Sequence, residues 1–220
     1  MGFKIRVWGD YALFTRPEFK GDRYSYDVMT PSAARGLLES IYWHPGMRWI
    51  IDKIHVVNKI DDETFKRNEI ESKISIGSVI KSYNGTLDKL YINRKKDAVQ
   101  RTSRVLKNVE YIIEAHFEMT ENKNKTDSED KFAAIIDKRL RRGACYRQPY
   151  LGCSEYVAYF ERYDGNISYL NSYYKDVDEV DFGIMLYDFD YTDKTNITPM
   201  FFKAVMKHGV INVDRNEVIV

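Results

Sequence analysis

The chain has 220 residues, of which 44% are hydrophobic and 30% are charged, proportions that are typical of a globular protein and exclude a largely disordered one. No apolar run is long enough to cross a membrane, and the charged start MGFKIRVWGD does not resemble a secretory signal, so we expect a cytoplasmic protein. The net charge is only +1, which excludes a uniformly basic or acidic protein.

That small net charge conceals an uneven distribution along the chain. Residues 151–220 contain 6 Lys/Arg and 12 Asp/Glu, whereas the first 150 contain 28 and 21. A basic front and an acidic rear indicate an anionic ligand at the front and a different partner at the rear. An uneven surface without functional meaning is the alternative.

The first 60 residues predict strand, helix, strand. FKIRVWG alternates apolar and polar residues, as a strand does. Thr30 is a good N-cap, Pro31 suits the first helical position, and His44 before Pro45 should end the helix. The β-branched stretch at 47–60 then predicts a long strand.

The middle of the chain predicts one long strand and one helix. Residues 61–73 resemble a polar connection and 74–80 a short strand. Residues 104–119 alternate clearly, with Tyr111 to Met119 at odd positions on one face and His116 among glutamates on the other. Residues 129–142 predict a helix that stops at Gly143.

The rear of the chain predicts strands only, around 153–161, 166–170 and 181–190, followed by a hairpin that turns at His208–Gly209.

The order of these elements predicts an α+β fold. Residues 1–160 match the split βαβ arrangement of a ferredoxin-like domain, the scaffold of RNA-recognition (RRM-like) modules. Residues 161–220 should form a smaller, all-β C-terminal extension. Because fold does not imply function, the candidate site must be argued separately.

Basic residues interleaved with tyrosines indicate RNA binding. The segment 94–107 carries six Lys/Arg opposed by Asp97 alone, and the second predicted helix and the loop after it add more. Such a mixture suits phosphate contacts and base stacking, although an ordinary charged surface is the alternative. The candidate RNA-binding residues are Arg35, Lys107, Lys138, Arg139, Arg141, Arg142, Tyr146 and Arg147.

His116 is the most prominent titratable residue. Glu114 and Glu118 flank it at period two, which would favour the imidazolium and suit acid–base catalysis, although a hydrogen-bonded surface histidine is the alternative. The pair Asp188–Asp190 could suggest a two-metal nuclease, but a solvated strand face is favoured. We therefore predict no metal and no cofactor.

Several motifs together resemble a known family. They are YDVMTPSAARGLLESIYWHP, GDYALFTRPEFKGDR, RNEIESKI, YIIEAHFEMT, GACYRQPYLGCSEY and KAVMKHGVI. The chain resembles the Cas five family, subtype d, the CRISPR-associated proteins of type I-C systems in the RAMP superfamily. The resemblance covers nearly the whole chain and implies a ferredoxin-like domain followed by a smaller β-rich one.

The resemblance implies a metal-independent endoribonuclease that cuts CRISPR precursor RNA at the 3′ base of the repeat hairpin and stays in the type I-C interference complex. The family's catalytic tyrosine and histidine correspond to Tyr42 and His116. A lysine that precedes the histidine in some members is replaced here by Glu114 and Ala115. The missing cation could come from Lys107, Lys81 or an arginine of the 139–147 segment.

Two alternatives stay open. The chain could be a non-catalytic subunit that holds the 5′ handle of the guide RNA and contacts other type I-C subunits, which the missing lysine favours. Duplex DNA binding through the same basic surface is a third hypothesis. Under each of these hypotheses we expect nucleic acid and protein partners and no contact with a membrane.

Overall fold

The computed structural model describes residues 2–19, 21–87, 89–193, 195–214 and 218–219. Within these residues the chain forms nine strands, three α-helices and one 3₁₀ turn. The strands are β1 (Gly2–Ala12), β2 (Arg23–Tyr24), β3 (Met47–Val56), β4 (Asp62–Ile70), β5 (Ala98–Met119), β6 (Tyr159–Arg162), β7 (Val180–Asp190), β8 (Thr198–Lys207) and β9 (Val210–Asn212). The helices are α1 (Pro31–Ile41), α2 (Ile76–Tyr83) and α3 (Glu129–Arg142). None of the helices in these ranges is long and apolar enough to cross a membrane.

The strands form a single, mostly antiparallel sheet. Its order is β6-β1-β5-β3-β9-β8-β7, and β4 and the two-residue β2 pair with the N-terminal half of β5. The pairs β1–β6, β1–β5 and β3–β5 are all antiparallel. The prediction of a mixed helix-and-sheet protein is therefore confirmed.

Local signals determine the ends of α1 and α3. The Thr30 hydroxyl accepts a hydrogen bond from the backbone N–H of Ala33, and Pro31 opens α1 where no intrahelical N–H is needed. Tyr42 is the C-cap residue in extended conformation. Gly143 ends α3 in the left-handed region at φ 62°, which favours glycine. Both predicted helices are thus confirmed, although α1 ends at Ile41 rather than at the predicted stop of His44 before Pro45.

Aromatic rings define the two faces of the sheet. Phe117 of β5 lies 6.2 Å from Phe132 of α3 and 6.2 Å from Trp49 of β3, measured between ring centroids. The odd-numbered positions of β5 around Phe117 therefore face the helices, as the alternation predicted. Because successive strand residues point to opposite faces, His116 points away from the helices.

Two predicted elements in the middle of the chain are wrong. Residues 61–73 were expected to be a connection but contain β4, which pairs with β5 as an antiparallel strand; its side chains are mostly charged or polar, so hydrophobic alternation is weak. Residues 74–80 were expected to be a strand, but residues 76–80 belong to α2. There the Ser75 hydroxyl accepts from the N–H of Ser78, and this local cap outweighs the β-branched residues.

The strands predicted for the rear of the chain are confirmed only in part. The strand expected at 153–161 is β6, which has four residues and pairs only with β1. The strand expected at 166–170 is wrong, because Ile167–Tyr169 forms a 3₁₀ turn capped by Asn166. The strand at 181–190 and the final hairpin are confirmed, and His208 and Gly209 form its turn with φ angles of 49° and 79°.

Candidate functional site

A histidine–carboxylate pair lies on the sheet face away from the helices. The Nδ1 atom of His116 lies 2.9 Å from both carboxylate oxygens of Asp52. An ionised carboxylate can only accept a hydrogen bond, so Nδ1 donates and the Nε2 atom of a neutral ring is left as an acceptor. The His116 side chain is 36% exposed, so solvent or a ligand can reach the ring.

Asp52 reaches His116 because of a β-bulge in β3. The register between β3 and β5 shifts between Ile51 and Lys53, which leaves Asp52 as the extra residue. Bulges of this kind redirect a side chain and are common beside active sites. Sequence reasoning missed Asp52, although the interrupted alternation of MRWIIDKIHV was a signal that the strand is irregular.

The two glutamates that flank His116 in sequence have other partners. The Glu114 Oε1 atom lies 2.6 Å from Nε2 of His55, and Glu118 forms an ion pair with Arg48 at 3.3 Å. The two glutamates that were expected to favour the His116 imidazolium thus make contacts of their own with His55 and Arg48. The carboxylate that contacts the His116 imidazole is that of Asp52, on the neighbouring strand β3.

Two lysines lie near His116 on the same face. Lys4 of β1 and Lys53 of β3 are both directly opposite Glu114, two positions from His116. Directly opposed residues of antiparallel strands share a face. Lys107, which sequence reasoning offered as the missing cation, lies nine positions along β5, roughly 30 Å away at the usual rise per residue, and pairs with Asp61 at 3.3 Å.

Tyr42 lies at the C-terminal end of α1 beneath an arginine. Its ring centroid is 6.0 Å from that of Phe132 and 5.0 Å from the guanidinium carbon of Arg139, which also donates to the Ile41 carbonyl. Burial raises the pKa of Tyr42 above its usual value, and the charges of Arg139 and Lys131 oppose that shift. The side chain is therefore a neutral phenol near pH 7 and a hydrogen-bond donor.

The structure does not bring Tyr42 and His116 together on one face. Tyr42 contacts Phe132 on the helix-covered face, whereas His116 points to the other face. Both lie toward the same end of the sheet, where Met47 is opposite Met119. The histidine that shares the helix-side face with Tyr42 is His44, whose ring centroid is 4.8 Å from that of Phe132.

The candidate RNA-binding residues between Lys138 and Arg147 form a basic surface around the end of α3, and Lys107 lies apart from it on β5. Tyr146 is 72% exposed, the guanidinium carbon of Arg147 lies 5.7 Å from the Tyr146 ring, and both backbone N–H groups donate to the Ser40 carbonyl. Arg141 is paired with Asp137 and Asp164. In the described part of the chain no carboxylate lies within ion-pair distance of Lys138, Arg139, Arg142 or Arg147.

Arg35 is engaged in a structural ion pair. Its Nε and Nη2 atoms donate to the two oxygens of Asp188 at 2.6 and 2.8 Å, and its Nη1 atom donates to Glu39 at 2.6 Å. This arrangement links α1 to β7 and leaves no guanidinium edge directed at a ligand. It also accounts for Asp188, which is 18% exposed at its side chain rather than part of a solvated strand face.

The basic segment 94–107 is partly neutralised by its neighbours. Arg104 makes a bidentate contact with Asp62 at 2.8 and 2.9 Å, and Arg101 lies 3.7 Å from Glu69. Both carboxylates belong to β4, the strand that sequence reasoning took for a connection. The sequence therefore overstated the free positive charge here.

Comparison with known proteins identifies the family of this chain. Residues 2–214 match the Cas_Cas5d family model, described as CRISPR-associated protein (Cas_Cas5). The CRISPR pre-crRNA endoribonuclease Cas5d of Mannheimia succiniciproducens is 41% identical over 212 residues, which is 96% of this chain and 93% of the relative. The protein of the same name from Thermus thermophilus is 36% identical over 202 residues, 91% of this chain and 78% of that protein.

A solved structure supports the same relationship. The crystal structure of a CRISPR-associated protein matches with a TM-score of 0.73 at 26% identity, over 100% of this chain and 95% of that one. The chain therefore belongs to the Cas5 family of CRISPR-associated proteins, subtype d. The resemblance on which the sequence analysis relied is confirmed.

Proposed function

We propose that this chain is an endoribonuclease that cuts CRISPR precursor RNA. Two curated relatives at 41% and 36% identity are named CRISPR pre-crRNA endoribonuclease, and each alignment covers more than nine-tenths of this chain. The single structural observation that carries the proposal is the His116–Asp52 pair, which presents an open imidazole nitrogen on an accessible sheet face.

The reaction is an internal transesterification. The ribose 2′-oxygen attacks the adjacent phosphorus and loses its proton, the bond to the 5′-oxygen breaks, and that oxygen gains a proton. The products are a 2′,3′-cyclic phosphate and a 5′-hydroxyl. His116 Nε2 accepts the 2′ proton, because the hydrogen bond to Asp52 holds the other nitrogen as a donor. Lys4 and Lys53 offset the negative charge of the transition state.

Tyr42 and the basic surface orient the RNA in this proposal. The strand passes round the end of the sheet, where the Tyr42 phenol donates to its backbone from the helix-covered side. The remaining contacts come from Lys138, Arg139, Arg142, Tyr146 and Arg147, with Arg141 and Lys107 in secondary roles. Arg35 serves the fold. The leaving 5′-oxygen takes its proton from solvent water at the exposed His116 face, so in this proposal the reaction balances without a metal.

A second role is favoured by two observations. Tyr42 and His116 lie on opposite faces, and Ala115, which replaces the lysine of some family members, is 1% exposed on the helix side. Both would suit a subunit that holds the guide's 5′ handle within the type I-C complex without cutting it. Such a subunit could also bind duplex DNA through its basic surface.

We further propose that residues 1–160 form a ferredoxin-like domain of the RAMP type. The order β6-β1-β5-β3, with antiparallel pairing throughout and with α1 and α3 as the connections, supports this assignment. The C-terminal β-rich extension starts after β6, which spans residue 160, and joins the same sheet where β9 pairs with β3.

The test is cleavage of repeat RNA in EDTA under single-turnover conditions. Wild-type protein should cut once and leave a 2′,3′-cyclic phosphate. His116→Ala should slow cleavage by at least about 100-fold, and Asp52→Asn by roughly tenfold or more, while both variants bind the RNA normally. Asp181→Asn, in β7, is the matched control and should cut at the wild-type rate.

The outcomes separate the two roles. Binding without a cut product, in wild-type protein, would support the structural subunit. Undiminished cutting by His116→Ala would remove His116 from the reaction even if the chain is a nuclease.

A further inference from the structure

An open pocket of about 520 Å³ lies at the far end of the β3–β5 pair from His116. Its walls come from the turn after β3, from the middle of β5 and from the loop that precedes β7. The loop is tied to β3, because Tyr173 N–H donates to the Val57 carbonyl at 2.8 Å and the Ser172 hydroxyl donates to the Val56 carbonyl at 2.7 Å. The pocket is therefore formed before any ligand arrives.

The lining combines positive charge with one accessible aromatic ring. Lys59, Lys107 and Lys175 are on its wall, and Asp61 is the only carboxylate among the lining residues in the described ranges. Tyr173 is 59% exposed, and the Lys59 ammonium lies 6.0 Å from its ring centroid. No carboxylate in those ranges pairs with Lys59; Lys107 alone is paired, with Asp61.

Amide side chains complete the lining. Asn58 donates from its amide nitrogen to the Asn108 carbonyl at 2.8 Å, and this contact joins the β3 turn to β5. Asn171 lies 3.5 Å from the Lys175 ammonium. Lysines neutralise phosphates, an exposed tyrosine ring stacks on a base, and amides bond to base edges or ribose hydroxyls.

We propose that this pocket binds one nucleotide unit of a single-stranded RNA, with its base on Tyr173 and its phosphates between Lys59 and Lys175. The proposal builds on the RNA-processing role above and adds a second contact point on the same strand. Asn108 lies eight positions from His116 along β5, roughly 26 Å at the usual rise. The pocket therefore holds RNA away from the bond that is cut.

The test measures binding, so it does not depend on cleavage. The probe is a fluorescein-labelled oligouridylate of about ten nucleotides, a length within the usual site size for single strands. Tyr173→Ala should raise its Kd about tenfold, whereas Tyr173→Phe, which keeps the ring, should stay within about twofold of wild type. Lys59→Ala should reduce the slope of log Kd against log salt concentration by about 0.7.

Matched controls lie nearby. Tyr169→Ala removes a tyrosine that is 86% exposed outside the pocket, and Lys125→Ala removes an exposed lysine of the loop before α3. Neither should change the Kd. Thermal unfolding of all variants should match wild type, because the replaced side chains are exposed.

Each outcome is decisive for one proposal. If Tyr173→Ala binds the oligonucleotide as Tyr169→Ala does, the pocket proposal is wrong, whether or not the protein cuts RNA. A parallel titration with AMP tests for a free nucleotide. If Tyr173→Ala weakens the binding of AMP but not that of the oligonucleotide, the pocket takes a free nucleotide and the proposal is also wrong. If wild-type protein binds through Tyr173 but never cuts repeat RNA, the pocket stands and the nuclease proposal fails.

Discussion

Two histidines contact carboxylates on neighbouring strands, and their exposure separates their roles. His55 is 3% exposed and bonds to Glu114, so its ring is enclosed by the fold. The His116 side chain is 36% exposed and bonds to Asp52 through Nδ1 alone. An enclosed imidazole stabilises structure, whereas an oriented and accessible one can exchange protons with a substrate.

Tyr42 differs from His116 in the chemistry that it can supply. A neutral phenol with a raised pKa can donate a hydrogen bond near pH 7 but cannot act as a base. Its ring packs against Phe132 and beneath Arg139, so most of the side chain serves the helix end. The residue is 8% exposed, and in the proposal above its hydroxyl is the group that contacts RNA.

Removing the Tyr42 hydroxyl should weaken RNA binding. Tyr42→Phe should raise the Kd for repeat RNA about fivefold, because one hydrogen bond of about 1 kcal/mol is lost. The single-turnover cleavage rate at saturating protein should stay within about twofold of wild type. Filter binding and quenched-flow cleavage measure the two quantities separately.

The control for this substitution is Tyr156→Phe, another buried tyrosine with an arginine over its ring, at 5.7 Å. It should change neither quantity. A large drop in the saturated rate for Tyr42→Phe, with an unchanged Kd, would mean that Tyr42 acts at the scissile phosphate and that the RNA route proposed here is wrong.

At the scale of elements, ion pairs link parts of the chain that are far apart in sequence. Arg35 of α1 binds Asp188 of β7, and the side chains are only 20% and 18% exposed. A partly buried guanidinium that loses its carboxylate keeps its desolvation cost without compensation. The pair therefore holds α1 against β7.

Arg35 and Arg142, both candidate RNA-binding residues, should respond differently to substitution. Arg35→Ala should lower the free energy of unfolding by about 2 kcal/mol and leave the RNA Kd unchanged, because Asp188 is left unpaired. Arg142→Ala should leave the free energy of unfolding unchanged. It should instead reduce the slope of log Kd for RNA against log salt concentration by about 0.7. Urea unfolding and anisotropy titrations in several salt concentrations measure both effects.

A double variant gives the control. Arg35→Ala combined with Asp188→Ala should recover part of the lost stability, since neither charge is then left alone. If the Arg35 variant instead weakened RNA binding at normal stability, Arg35 would belong to the RNA surface after all.

At the scale of the whole molecule, one sheet joins the basic front of the chain to its acidic rear. The joint is narrow, because β9 has three residues and pairs with the end of β3 next to His55. The stability of the connected sheet should therefore respond to the charge state of groups buried near that joint.

We expect the folded protein to lose stability in mild acid. Burial lowers the pKa of His55, and the hydrogen bond that His55 Nε2 donates to the Glu114 carboxylate only partly opposes this. The unfolded chain takes up the proton first, at its ordinary pKa of about 6.5. Stability should therefore fall as the pH drops below about 6.5, until the folded protein also protonates.

Thermal unfolding between about pH 7.5 and pH 5 measures this dependence. His55→Gln should flatten the curve over that range, whereas His208→Gln, at the exposed hairpin turn, should leave its shape unchanged. Parallel curves for wild type and His55→Gln would contradict the assignment.

Local signals allowed much of this fold to be predicted from the sequence alone. The Thr30 cap and Pro31 determine the start of α1, the alternation of 104–119 identifies β5 and its faces, and His208–Gly209 marks the last turn. Each depends on residues within a few positions of one another. The family motifs likewise identified Tyr42 and His116 as candidates.

Only the tertiary structure decided which partners these residues have. Asp52 is 64 positions from His116 and Asp188 is 153 from Arg35, and no local rule links such residues. β4 was missed because its side chains are mostly charged or polar, so the sequence shows no apolar alternation there. The opposite placement of Tyr42 and His116 follows from how α1 packs on the sheet, and packing depends on contacts between distant segments that only the folded chain brings together.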